Sequence, residues 1–288
     1  MKHIIILIRP HQYVKNFFIF LPLFFAGQLV NANLAINALL AFIAFSCSAS
    51  AIYILNDYHD IAEDRLHPKK KNRPLAAGVI SKKTAILLML LLAAGGIYLM
   101  VTVSVQAAAI LSGYILLNIA YSFYLKHIAI LDITIIATGF VLRLFVGATA
   151  THIYLSMWIV IMTFLLALFL ALAKRRDDVL LFLDTGKKMR KVIDGYNIQF
   201  IDSAMMIMAS VVIVAYISYT TSPEVVQRLH NEHLYLTALF VIVGVMRYMQ
   251  ISFVQQDSGS PTKIILGDIF IQLTLVSWVV AFAWILYS

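Results

Sequence analysis

The sequence predicts an all-α, polytopic membrane protein with nine transmembrane helices. Three observations lead there. Hydrophobic residues make up 62 % of the 288 and charged residues only 12 %, with a mean hydropathy of +0.90, whereas soluble domains carry about 25 % charged residues. Apolar runs recur at lengths near the ~20 residues that cross a hydrocarbon core. Lys and Arg gather in alternate connections between those runs, the asymmetry that orients helices in a membrane.

In chain order, the expected spans are 16–30, 34–56, 84–103, 105–125, 128–150, 154–173, 203–221, 233–255 and 264–287. The connection 57–83 carries Arg65, Lys69, Lys70, Lys71, Arg73, Lys82 and Lys83. The connection 174–202 carries Lys174, Arg175, Arg176, Lys187, Lys188, Arg190 and Lys191, and the start holds Lys2, Arg9 and Lys15. Connections near residues 31, 104 and 152 hold no Lys or Arg, and 222–232 holds only Arg228. The alternation places the N terminus and both large loops in the cytoplasm and the C terminus on the other side. Nine spans satisfy it; eight or ten break it. The chain reads as a single domain, 1–288, in the inner (cytoplasmic) membrane, capped by the loops 57–83 and 174–202.

The net charge of +8 (22 basic minus 14 acidic) lies in these loops. It suits topology and anionic ligands rather than nucleic acid. The single Cys47 lies in an apolar run, which excludes a disulfide framework and a thiolate metal site. Residues 1–8 are too short an apolar stretch for a secretory leader, and Arg9-Pro10 interrupts it, so no cleaved leader is expected. Nothing in the sequence specifies an oligomeric state.

Chemistry concentrates at the end of the second span, in Asn56-Asp57-Tyr58-His59-Asp60-Ile61-Ala62-Glu63-Asp64. In a continuing helix Asp57, Asp60 and Asp64 fall at i, i+3 and i+7 on one face. Three carboxylates together repel unless a cation compensates them. Their oxygens suit Mg²⁺, which keeps several waters and bridges to phosphates, with Asn56 in support. Next comes Arg65-Leu66-His67-Pro68-Lys69-Lys70-Lys71-Asn72-Arg73-Pro74, whose cations fit the phosphate oxygens that a metal leaves free. Lys70 and Arg73 are the expected phosphate contacts, and Lys82 and Lys83 topological anchors. His59 points to another helix face and is not expected to take part.

The pattern Asn-Asp-x-x-Asp-x-x-x-Asp, followed by His-Pro-x-Lys-x-x-Arg-Pro, resembles the first signature of the UbiA superfamily of intramembrane prenyltransferases. Three further stretches are similar to its decaprenyl-phosphate phosphoribosyltransferase branch. They are Arg9-Pro10-His11-Gln12-Tyr13-Val14-Lys15-Asn16, Leu170-Ala171-Leu172-Ala173-Lys174-Arg175-Arg176, and Tyr121-Ser122-x-x-Leu125-Lys126 with Leu131-Asp132 and Gly139-Phe140-Val141-Leu142-Arg143. The resemblance implies a UbiA-like bundle with a cytoplasm-facing polar cavity and Mg²⁺ on Asp57, Asp60 and Asp64. It implies transfer of phosphoribose from phosphoribosyl pyrophosphate to a polyprenyl phosphate, with release of pyrophosphate. Lys15, Asn16, Tyr121, Tyr124, Lys126, Asp132 and Arg143 would then grip phosphates and sugar hydroxyls. Aromatic-acceptor members carry a second motif, Asp-x-x-x-Asp; here Asp132 is followed four residues later by Ile136.

Several roles stay open at this level. Arg143, inside the fifth span, has to face a polar cavity or pair with a carboxylate such as Asp132, because a bare charge there is costly. Lys126 orients a phosphate or snorkels to the interface. Asn118 joins this polar face or only packs helices. Lys174 and Arg175 serve as a phosphate clamp or a helix-end anchor. Arg247 and Asp268 are expected to pair structurally. Two alternatives to phosphoribosyl transfer remain: a UbiA-type enzyme moving an isoprenyl group from its diphosphate to an aromatic or other acceptor, and a transporter. A transporter more typically shows an internal repeat, and none is visible.

Overall fold

The computed structural model describes residues 2–66, 70–186, 191–229, 231–258 and 261–287. His67, Pro68 and Lys69 of the first basic loop, and Lys187, Lys188 and Arg190 of the second, lie outside the described residues. Helices run in the order α1 (Lys2–Ile8), a 3-10 stretch (Pro10–Phe20), α2 (Leu21–Phe25), α3 (Ala32–His59), α4 (Ile61–Leu66), α5 (Lys82–Val103) and α6 (Val105–Phe123). They continue as α7 (Leu131–Thr151), α8 (Met157–Thr185), α9 (Ile198–Thr221), α10 (Pro223–Leu229), α11 (Ala238–Phe253), α12 (Pro261–Gly267) and α13 (Ile269–Tyr287). No strand occurs among the described residues.

Eight helical segments among the described residues are long and apolar enough to cross a membrane. They correspond to the second through ninth expected spans. The first differs: 16–30 is the end of a 3-10 stretch, the five-residue α2, and a turn. Gly27, at φ 66°, closes that turn, with its N–H on the Phe24 carbonyl at 3.1 Å and that of Gln28 on Leu23 at 3.1 Å. A left-handed residue just past a helix end is how helices stop. The ninth span is interrupted at Asp268, between α12 and α13.

The expected cap 174–202 is also shorter than its charge suggested. α8 runs on through Lys174-Arg175-Arg176-Asp177-Asp178 to Thr185 and stops only at Gly186, at φ 66°. No Gly or Pro breaks it earlier, and Arg175 and Arg176 are buried and paired with carboxylates. Elsewhere helix starts follow capping chemistry. Ser81, Ser104 and Asn197 accept from Thr84, Ala107 and Phe200 N–H at 3.1, 3.2 and 2.7 Å.

The chain divides into two compact units, residues 1–125 with 142–155, and residues 126–141 with 156–288. α7 contributes its first half to the second unit and its second half to the first. Small residues set the packing in the first unit, as membrane helices require when backbones approach closely. A Cβ on Gly96 of α5 would lie 2.7 Å from the Ala44 carbonyl oxygen of α3, and one on Gly147 of α7 would lie 2.8 Å from the Ile19 carbonyl carbon. Phe45, Met100 and Leu111 fill the core around these contacts. In the second unit, Phe169, Leu172, Met205 and Ile251 form the core.

Candidate active site

Two buried polar clusters stand out, one in each unit. In the first unit, α3 ends at His59 and Asp60 leaves the helical conformation, at φ −92° and ψ 12°. The break corrects the expectation of one continuous acidic face. Asp57, from the last turn of α3, and Asp64, from α4, converge on a single nitrogen. Arg73 Nη1 donates to Asp57 Oδ1 at 3.0 Å and to Asp64 Oδ2 at 2.7 Å. Arg9 Nη2 also donates to Asp57 Oδ1. The two carboxylates are 1 % and 2 % exposed, and two arginines balance their charge. Asp60 instead meets His59 Nδ1 at 2.9 Å, and the His59 ring stands edge-on to Phe123.

Local structure places these groups. The Val79 and Ile80 N–H groups both reach the Pro74 carbonyl, at 3.0 and 3.2 Å, around Gly78 at φ 72°. Arg65 Nε holds the Ala76 carbonyl at 3.1 Å. This folds the loop so that Arg73 faces the aspartates. Arg9 sits in the left-handed region, at φ 56° and ψ 59°, with its guanidinium over the Tyr53 ring.

No three His, Cys, Asp or Glu side chains form a metal-ligand set among the described residues. The donor chemistry nonetheless suits a hard cation. Asp57 Oδ2 is buried with no hydrogen-bond partner, a costly state for a carboxylate oxygen. Asp64 lies beside the same arginine. Asn56 Oδ1, one residue away, accepts from Ser122 Oγ.

The same unit answers the question of Arg143. Its Nε donates to Asn16 Oδ1 at 2.8 Å and its Nη2 to Tyr114 Oη at 3.3 Å. Its guanidinium lies over Phe45 and Tyr114. Asn16 in turn donates to Ser46 Oγ at 2.9 Å. Beside it, burial and the positive charges of Arg143 and Arg9 lower the Lys15 pKa to about 8. Asn118 donates to the Tyr114 carbonyl at 2.8 Å, an intrahelical bond. Tyr121 and Lys70 are half-buried, and Tyr124 is 76 % exposed.

In the second unit Asp132, fully buried, is met by Arg175 Nε at 2.5 Å and by the Tyr196 hydroxyl at 2.6 Å. Arg175 also reaches Asp178 at 2.7 Å. Tyr196 Oη accepts from the Ile130 N–H at 2.8 Å, fixing a β-branched residue at φ 70° where α7 begins. Burial and the bond to Asp132 raise the Tyr196 pKa. Arg176 ties α8 to Asp202 of α9 and to the Ser252 carbonyl of α11, each at 2.8 Å. These partners favour positioning over direct substrate contact for Asp132 and Arg175. Lys126 is half-buried in the turn before α7, and Lys174 is exposed. Arg247 and Asp268 do pair, at 2.7 Å.

Arg9, Ser46, Tyr114, Ser122 and Tyr196 were not expected as site residues. Arg9 had a sequence signal, a charge wedged between the apolar Ile4–Ile8 and a proline, and Ser122 lies in the Tyr121-Ser122 stretch. The others are ordinary helix and loop residues whose side-chain partners lie 29 to 64 positions away.

A multi-pass chain, all-helical among the described residues, with buried acid–base clusters at helix ends fits a membrane-embedded enzyme. Residues 17–274 match the family described as "UbiA prenyltransferase family". The chain is 30 % identical over 282 residues to the decaprenyl-phosphate phosphoribosyltransferase of Mycolicibacterium smegmatis, covering 94 % of this chain and 88 % of that one. It is 30 % identical over 276 residues to the protein of the same name from Corynebacterium glutamicum, covering 94 % and 83 %. Its fold is similar to a UbiA homologue from Archaeoglobus fulgidus bound to GPP and Mg²⁺. The TM-score is 0.72 at 18 % identity, over 98 % of this chain and 99 % of that one. The chain belongs to the UbiA prenyltransferase family and is a multi-pass membrane transferase.

Proposed function

We propose that the protein transfers phosphoribose from phosphoribosyl pyrophosphate to a polyprenyl phosphate and releases pyrophosphate. The observation that carries this choice is kinship along 94 % of the chain with two proteins named decaprenyl-phosphate phosphoribosyltransferase. The site adds support. Ile136 stands where a second aspartate motif would continue, and Asp132 is taken up by Arg175 and Tyr196.

Asp57 and Asp64, with Asp60 and Asn56, would hold Mg²⁺ through carboxylate and amide oxygens. When bound, the metal neutralises the diphosphate and stabilises its departure. Arg73 and Lys70 take phosphate oxygens of the donor. The bond from the ribose anomeric carbon to the diphosphate oxygen breaks, with its electron pair leaving on pyrophosphate. A phosphate oxygen of the lipid, already ionised and needing no base, bonds to that carbon from the opposite face. Lys15, Asn16 and Arg143 orient phosphate groups in the first unit, with Tyr121 and Tyr124 toward sugar hydroxyls. Lys126 and Lys174 are the proposed phosphate contacts of the second. Positioning and charge stabilisation supply most of the acceleration. The charge asymmetry of the loops favours an N terminus in the cytoplasm and residence in the inner membrane.

A donor comparison tests this reading. Protein in lipid with Mg²⁺ receives either labelled phosphoribosyl pyrophosphate plus polyprenyl phosphate, or an isoprenyl diphosphate plus an aromatic acid. Label entering a lipid-extractable, EDTA-sensitive product in the first reaction is the expected result. Product only in the second returns the protein to isoprenyl transfer.

A further inference from the structure

We propose that Tyr196 is a positioning residue: it latches the turn before α7 onto the chain leading into α9, and through that turn it sets how tightly Lys126 holds phosphate. The proposal rests on the reading of Lys126 as a phosphate contact. The Tyr196 hydroxyl is used twice, accepting from the Ile130 N–H at 2.8 Å and donating to the Asp132 carboxylate at 2.6 Å. One oxygen thereby holds both the last residue of the turn and the first turn of α7. Arg175 fixes the other Asp132 oxygen, which makes the carboxylate a firm partner. Gly195, next to the tyrosine, packs so closely that a Cβ there would overlap the Ala129 Cβ.

The two sides of this contact differ in kind. Val192, Ile193 and Tyr196, in and just after the 3-10 turn Lys191–Gly195, are buried in the core of the second unit. Ile128, Ile130 and Leu131 of the turn are exposed. The core side is therefore the anchor and the turn is what it holds. Ile130 shows what the hold achieves. It is β-branched and sits at φ 70°, a conformation such residues rarely adopt. Its side chain is 56 % exposed, so no burial of its own offsets the strain. The bond to Tyr196 keeps it there from outside, and strain held in this way gathers at functional sites. Lys126 lies four residues earlier in the same turn. Any shift of the Ile130 backbone moves the lysine with it, and a shift of about 1 Å is enough to spoil a contact at a reacting site.

The test reads the turn and the binding separately. Nitroxide labels at Ile128→Cys in the turn and Val211→Cys on α9, both exposed positions, in a Cys47→Ser background, report the turn by electron–electron distance measurement. Tyr196→Phe keeps the ring and loses both bonds, and its distance distribution should broaden. Its substrate KM should rise at least about fivefold, with kcat less affected, but less than about twofold when Lys126→Met is also present, because residues acting through one another are non-additive. Gly195→Ala forces the same contact apart and should act as Tyr196→Phe does. Adding Ala129→Gly returns the space and should restore both readouts, so the proposal does not depend on one variant folding. An unchanged distance distribution in Tyr196→Phe overturns the latch. An equal rise in KM with and without Lys126 overturns the positioning of that lysine. The label distances need no substrate, so a Lys126→Met protein with unchanged KM, which strikes the phosphate reading of Lys126 and the role in binding with it, is told apart from a latch that does not exist.

Discussion

Gly147→Ala isolates one packing contact that the candidate site depends on. In an open helix this change stabilises by about 1 kcal/mol, because Ala is the better helix former. At position 147 the added Cβ would lie 2.8 Å from the Ile19 carbonyl carbon and nearer still to its oxygen. It meets backbone, which cannot swing away as a side chain would. Reaching ordinary separation from the carbonyl oxygen requires α7 and the 3-10 stretch to part by roughly 1.5 Å or more. Overpacking of this kind costs about 1–3 kcal/mol and outweighs the propensity gain. The same displacement pulls on the 2.8 Å bond between Arg143 Nε and Asn16 Oδ1, since Arg143 lies one turn before Gly147 and Asn16 one turn before Ile19. Misplacement by about 1 Å at a reacting site can lower turnover about 100-fold. Thermal unfolding in detergent and product formation should therefore both fall. Gly113→Ala is the control, because its Cβ would meet nothing within 4 Å, and it should be as stable as the wild type or more so. A Gly147→Ala protein with wild-type melting and turnover would refute the argument that this contact sets the site.

Three further outcomes follow from the same geometry. Asp57→Ala and Asp64→Ala should each abolish turnover in a protein that still inserts and stays monodisperse, and near wild-type rates at saturating Mg²⁺ would remove both from the metal site. Lys15 carries its charge below about pH 8 and loses it above, and an anion beside it favours the charged form. Substrate KM should therefore climb above pH 8 by up to tenfold per pH unit and be flat there in Lys15→Met, so identical pH profiles would exclude a phosphate contact. Arg175→Met strands the buried Asp132 carboxylate and should cost about 3–5 kcal/mol. The double variant Arg175→Met, Asp132→Asn should regain most of that loss in thermal unfolding, and a double variant no more stable than the single one would show that the pair is not the source of the cost.

Much of the site was legible because its chemistry is local in sequence. Asp57, Asp64 and Arg73 fall within one short stretch of sequence, and the need to compensate their charges can be read from spacing alone. The face shared with Asp60 was not legible, because it assumed a helix that ends at His59. Arg143 was recognised as a charge needing a partner, but Asp132 went to Arg175, 43 residues on, and Arg143 to Asn16, 127 residues back. Such choices depend on which helices touch, and residue type does not encode that. The second basic loop looked like a connection because its charges suggested solvent. Arg175 and Arg176 are instead buried in α8, paired with the buried Asp132 and the half-buried Asp202.

The sequence by itself determined the all-helical membrane class, eight of the nine expected spans and the acidic signature, because hydropathy, chain length and charge spacing act over short stretches of chain. Only the tertiary structure decided the form of the first segment, the true length of α8 and the pairing of every buried charge. Burying an ion takes a partner from elsewhere in the fold, and the closeness of the helices at Gly96 and Gly147 sets which partners come within reach.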